Sequence, residues 1–378
     1  MTAKPQKNIR DWIALSFVTG VGSRTAALLI DRFQTAEACF DAGPHELERA
    51  GLKPESIEML RDPSLRERGD RELEELAKLG GEVLALTDER YPALLRETYD
   101  PPVVLYVLGD LPRAMSQPAV SIVGSRRCST YGRNAAEMLA RELAGRGVTI
   151  VSGLARGIDG AAHRGALEGR GLTVAVMGTG LDSVYPKENR RLAEQIAASG
   201  ALVTEFPLNT PPLSQNFPFR NRVISGLSLG VMVVEGAERS GSLITARLAA
   251  EQGREVFAVP GNITSFKSFG PNYLIKDGAK LVQSWRDVVE EFPLDLKSQI
   301  ISAERGEAPP RQLAIDEVAL STAERKVLAL MKVDESVHID QLIARTAIGA
   351  GELMAVLLKL EMLERIRQLP GKSFVRKL

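Results

Sequence analysis

The residues with the clearest chemical potential sit in short loops that follow apolar, Val- and Ile-rich runs. GSRRCSTYG (124–132) follows AVSIV (119–123), and SGLARGID (152–159) follows VTIV (148–151). GTGLDSVYPKEN (178–189) follows LTVAVM (172–177), and FPLNTPPLSQNFPFRNR (206–222) follows ALVTE (201–205). GAERSGSLITA (236–246) follows GVMVVE (230–235), and PGNITSFKSFGPN (260–272) follows EVFAV (255–259). Each loop is rich in Gly, Ser, Thr or Asn and leads towards a helical stretch. Free N–H groups and small hydroxyls at positive helix ends bind phosphate well.

The same loops carry Arg126, Arg127, Arg156, Lys187, Arg220, Arg222 and Arg239. The plain alternative is a solvated rim. Seven cations at one sheet edge fit a polyanion site better, and one diphosphate does not need six such loops. Arg126 and Arg127 are the first candidates for phosphate contacts. Ser125, Gly153, Arg156, Lys187, Asn189, Arg220, Asn221, Arg222, Ser240, Gly241 and Ser242 follow. Tyr131, Phe217 and Phe219 could stack on bases, with packing in the core as the other reading for Phe217 and Phe219.

Catalytic look-alikes do not hold. GTGLDS (178–183) follows a strand, as a dinucleotide fingerprint should, but its sixth position is Ser183 and Pro186 interrupts the helix start. GLSLG (226–230) matches a nucleophile pattern, yet a helix precedes it and a strand follows, the reverse of a nucleophile elbow. Asp159 and His163 share a helical face without a nucleophile, and read as a cap and a surface or packed histidine. LPGKSF (369–374) lacks the first glycine of a phosphate loop and reads as a turn. No catalytic set, metal site or cofactor is expected. The 3 histidines and 2 cysteines, Cys39 and Cys128, have no metal-ligand spacing.

These loops need a scaffold. Besides the six runs above, EVLAL (82–86) and VVLYVL (103–108) read as strands. Amphipathic segments such as YGRNAAEMLARELAGRG (131–147) lie between them. Strand–helix alternation of this kind predicts an α/β fold, a Rossmann-like doubly wound, mostly parallel sheet. Residues 1–75 are expected to form a small helical domain. There FVTGVGSRTAALLIDRF (17–33) reads as a turn between two helices, in the manner of a SAM or helix-hairpin-helix unit. Residues 76–294 are expected to form the Rossmann-like core, 295–320 a polar linker with Pro309 and Pro310, and 321–378 a winged helix. Ser321 or Thr322, with Glu324, caps its first helix. The winged helix's third helix is mostly Ala, Leu, Met and Val, so an accessory or protein-contact role is expected for this unit.

Net charge is +0, so any nucleic-acid surface must be local. Few cysteines suit a reducing compartment, and no apolar run approaches membrane-spanning length. The expectation is a cytoplasmic protein without a membrane partner.

In their order and spacing, GSRRCSTYG, SGLARGIDGAAH, GTGLDSVYPKEN, FPFRNRVISGLS, SGSLITA and GREVFAVPGN resemble the signatures of the bacterial DNA-processing protein A family (DprA/Smf). The resemblance runs from about residue 75 to 290. TEFPLN departs at Thr204 and Asn209, where members usually read Ser and Gly, and Gly236 stands where Ala is common. The resemblance implies binding of single-stranded DNA, loading of RecA recombinase during natural transformation, homodimerisation through the Rossmann-like domain, and no enzymatic activity. Two other readings compete. A phosphoribohydrolase-like nucleotide enzyme would carry Pro-Gly-Gly-x-Gly-Thr-x-x-Glu, absent here. A winged-helix regulator would prefer duplex DNA.

Overall fold

The structure, a computed structural model, describes residues 9–306, 320–332, 335–346, 348–363 and 365–377. Five short helices open the chain: α1 (Ile9–Ser16), α2 (Ser23–Phe33), α3 (Ala36–Asp41), α4 (Pro44–Arg49) and α5 (Pro54–Leu60). The longer α6 (Pro63–Lys78) leads into the sheet.

The core alternates strand and helix as the apolar runs predict. It begins with β1 (Glu82–Ala85), α7 (Ala93–Arg96), β2 (Val104–Gly109), α8 (Leu111–Ala114), β3 (Ala119–Val123) and α9 (Thr130–Ala144). Then come β4 (Thr149–Ser152), α10 (Ile158–Glu168), β5 (Thr173–Val176), α11 (Arg190–Ser199), β6 (Ala201–Thr204) and α12 (Asn216–Gly226). It closes with β7 (Gly230–Val233), α13 (Gly241–Glu251), β8 (Glu255–Ala258), α14 (Phe269–Lys276), β9 (Lys280–Leu281) and α15 (Trp285–Val289). The sheet order is β1-β2-β6-β5-β4-β3-β7-β8-β9. Strands β3 to β9 pair in parallel, whereas β2 runs antiparallel to both β1 and β6.

Parallel strands covered on both faces need continuous apolar runs. β3 is buried along its whole length, and its one hydroxyl, Ser121, donates to the Ile224 carbonyl at 2.9 Å. One face of the sheet packs on α9 and α10 through Val120, Ile122, Leu139, Leu143 and Ala162. On the other, Trp12, Ile13, Leu29 and Leu76 join Leu84, Leu105, Tyr106 and Val203 in a single apolar cluster. The N-terminal helices therefore share the sheet's core.

The stretch expected as a linker departs from that reading at its start. Leu294–Gly306 is a helix, α16, and its Ile300 is buried against the α9 side of the core. Leu296, Ile300 and Ile301 supply the helical stripe that its polar neighbours obscure in sequence. Residues 307–319, with Pro309 and Pro310, lie outside the described residues. The C-terminal unit then contains α17 (Thr322–Ala329), α18 (Ile339–Thr346) and α19 (Ala350–Met362). A sheet of β10 (Val337–His338), β12 (Ser373–Arg376) and β11 (Ile366–Leu369), in that order, forms the wing. Ser321 and Glu324 close a capping box on α17, and the unit has its own core around Leu342, Leu353, Leu360 and Phe374. Exposed Met354 and Leu358 give α19 an apolar outer face.

His163 of α10 is a packed core residue. Thr173 Oγ1 donates to the Ile150 carbonyl at 2.7 Å, so it accepts from His163 Nδ1, also 2.7 Å away. Nε2 is buried without a partner among the described residues. Burial, reinforced by the charges of Arg164 and Arg220, pushes the imidazole pKa down to about 3. Below pH 6.5 the unfolded chain takes a proton that the folded chain refuses. Stability is thus complete above that pH and falls with acidification by up to about 1.4 kcal/mol per pH unit. His163→Asn, whose amide nitrogen can replace Nδ1, is expected to flatten this loss between about pH 7 and about pH 5 in urea denaturation. An unchanged slope would remove His163 as its source.

Candidate nucleic-acid interface

In an open α/β sheet, ligands bind beyond the carboxyl ends of the strands where the strand order reverses. Here that point lies between β3 and β7. The chain leaves β3 for α9 on one face and β7 for α13 on the other. The two loops splay apart over a crevice of about 690 Å³.

Glu235, which follows β7, ties the loops together. It is 2% exposed. Its carboxylate accepts from the Ser129 N–H at 2.8 Å and from the Ser129 hydroxyl. Its carbonyl accepts from the Ser125 N–H at 2.8 Å. Ser129 Oγ also accepts from the Gly132 N–H at 3.0 Å and so caps α9. The carboxylate therefore sits at the positive end of α9. Gly157 holds φ +74°, and a Cβ there would come within 2.2 Å of the Ser125 carbonyl. Only glycine allows the β4 loop to lie this close beneath Ser125 and Arg126.

Arg126 is exposed, and its guanidinium lies 4.9 Å from the centre of the Phe217 ring. Tyr185 packs against Phe217, with ring centres 6.0 Å apart and planes at 41°. Together these three side chains make a charged aromatic ledge at the crevice mouth. Across it, Ser240 caps α13 by accepting from the Ser242 N–H at 3.4 Å, with Gly241 exposed between them. Arg239 is exposed on the same rim.

Arg220 lies in the floor. It is 4% exposed and donates through one nitrogen to the Gly153 and Val176 carbonyls, each at 2.6 Å. A Cβ on Gly153 would come within 2.3 Å of that nitrogen. Nε donates to Asn221 Oδ1 at 3.2 Å. Burial lowers the guanidinium pKa to about 10, opposed by the nearby Asp159 carboxylate, so Arg220 stays charged near neutral pH. Burial likewise raises the Asp159 pKa, with Arg220 opposing.

The crevice therefore gathers Ser125, Arg126, Arg220, Asn221, Ser240, Gly241 and Ser242. Gly153 and Arg156 line an adjoining recess with Arg126 and Tyr185. Arg127 and Lys187 are exposed beside it. Arg156 is held by Glu188 through two 2.7 Å bonds, and Asn189 donates to the Leu154 carbonyl at 2.8 Å. Arg222 is not part of the crevice lining. It is 7% exposed and binds Glu205, the Asp100 carbonyl at 2.5 Å and Ser23 Oγ at 3.4 Å, pinning the N-terminal helices to α12. Tyr131 is not a stacking platform at this mouth either. It packs on the core and donates to the Pro260 carbonyl at 2.7 Å.

Sequence reasoning missed Glu235, whose role depends on a contact 106 residues away, and undervalued Tyr185. The glycines of GTGLDS do not open a helix, because α11 begins only at Arg190. Among the described residues no group of three His, Cys, Asp or Glu could hold a metal ion. No single described helix is long and apolar enough to cross a membrane.

The fold and site define a Rossmann-like protein with an attached winged helix, whose switch-point crevice carries arginines, hydroxyls and aromatics in place of a dinucleotide fingerprint. The chain belongs to the DNA recombination-mediator protein A family, whose model matches residues 82–293. The model of the DprA winged helix domain matches residues 308–372. Protein Smf of Escherichia coli strain K12 is 45% identical over 76% of this chain and 75% of its own length. Protein Smf of Synechocystis is 36% identical over 97% and 98% of the respective chains. The X-ray structure of DNA processing protein A from Streptococcus pneumoniae superposes with a TM-score of 0.68 at 36% identity, covering 75% of this chain and 98% of that one. DNA processing protein A from Helicobacter pylori, described for its single-stranded DNA binding mode, gives 0.51 at 32% identity over 56% and 94%.

Proposed function

We propose that this protein binds single-stranded DNA across the β3/β7 crevice and passes it to RecA recombinase in the cytoplasm, acting without catalysis. The observation that carries the reading is the exposed Arg126 laid over Phe217, which Tyr185 packs against, between two capped helix starts. Cations and helix N-termini take phosphates, and an aromatic ledge takes unpaired bases of any sequence. A base-paired strand has no free ring to stack there. The RecA step rests on family membership. Homodimerisation is supported by exposed Ile244, Phe269, Tyr273 and Leu281 on α13, α14 and the edge strand β9.

Titration with single- and double-stranded oligonucleotides of equal length, at two salt concentrations, tests the reading. Single strands are expected to bind more tightly, with little sequence preference. Affinity should fall steeply with salt as phosphate neutralisation releases counterions. Equal affinity for both forms, or a flat salt response, would sink it. Duplex preference would instead favour the winged helix.

A further inference from the structure

We propose that the single-stranded nucleic-acid path continues beyond the crevice, along α12, to a second stacking site formed by Arg24 and Tyr99. The inference extends the proposed function and depends on it.

Tyr99, in the loop before β2, is 73% exposed. The Arg24 guanidinium, from the first turn of α2, lies 4.9 Å from its ring centre. Arg126 over Phe217 has the same separation. The molecule therefore repeats one device, an arginine on an accessible aromatic ring, at two places on the carboxyl edge of the sheet. β2 is antiparallel to β6, so the segment entering β2 lies beside the segment leaving β6.

Helix α12 joins the two places. Phe217 forms the crevice ledge near its start. Phe219, 62% exposed, follows on the outer surface. Arg222, one turn later, touches the Asp100 carbonyl and the Ser23 hydroxyl, the neighbours of Tyr99 and Arg24. Five residues of helix rise about 7.5 Å, which is short beside a strand filling a site of roughly 4–16 nucleotides. The carboxylates at this junction, Asp100 and Glu205, are both engaged by Arg222. Stacking on Phe219 and Tyr99 with a phosphate near Arg24 suits a single strand leaving the crevice.

The test compares the full chain with Arg24→Ala, Tyr99→Ala and Tyr99→Phe, using oligothymidylates of about 6 and about 25 nucleotides. Both positions are exposed, so melting temperatures should match the parent. Each alanine variant is expected to lose roughly tenfold in affinity for the longer strand and less than twofold for the shorter. Tyr99→Phe, which keeps the ring, should retain long-strand binding. Unchanged long-strand affinity in the alanine variants overturns the extension and leaves the crevice reading standing. Equal losses on both lengths also overturn it, because the pair would then act with the crevice. Failure of the parent protein to bind either oligomer overturns the crevice reading itself.

Discussion

Replacing Arg126 and Arg127 together by alanine is expected to weaken single-stranded DNA binding by roughly 10²- to 10⁴-fold while leaving the fold intact. Each lost charged hydrogen bond costs about 1.5–3 kcal/mol, and every 1.4 kcal/mol is about tenfold in affinity. Both side chains are exposed on the loop after β3, and the backbone bonds that shape that loop run through Ser125, Ser129 and Glu235. Thermal melting should therefore be unmoved. The salt dependence should also become shallower, by roughly one phosphate contact per arginine. Unchanged affinity in the double variant would move the site elsewhere. A collapsed melting temperature would make these arginines structural.

Arg220→Ala is expected to act in the opposite way, through stability. Its guanidinium is buried, satisfies the Gly153 and Val176 carbonyls, and offsets the buried charge of Asp159. Removing one member of such an arrangement strands the rest and costs about 3–5 kcal/mol. That is a large fraction of a typical domain's stability. Urea denaturation should show the loss. Pairing it with Asp159→Asn should recover part of it, since the uncompensated charge disappears. A variant of parental stability with only weakened DNA binding would show that Arg220 contacts the ligand directly.

The contrast between these arginines marks how far the sequence could be read. The parallel strands were legible because a sheet covered on both faces demands unbroken apolar runs, as in AVSIV and GVMVVE. β9 was not, since Lys280–Leu281 is too short to show a period. Within the site, the Gly- and Ser-rich loops were legible because each directly follows an apolar strand run. Charge was legible, but its placement was not. Arg126, Arg220 and Arg222 look alike in sequence, yet one is exposed, one braces the floor and one anchors the N-terminal helices. Only the fold decides which carbonyls and carboxylates each arginine meets.

The apolar cluster shared by the N-terminal helices and the sheet bears on how this chain can be divided. Trp12 and Leu29 belong to the same buried set as Leu105 and Val203, and Arg222 adds a polar tie between α2 and α12. Residues 9–78 thus share their core with the sheet, although their helices form a continuous block in sequence. A cut before β1 would bare one face of the sheet, and the two parts should lose their structure in one cooperative event. The C-terminal winged helix encloses a core of its own. That makes the end of α16 the natural seam of the chain.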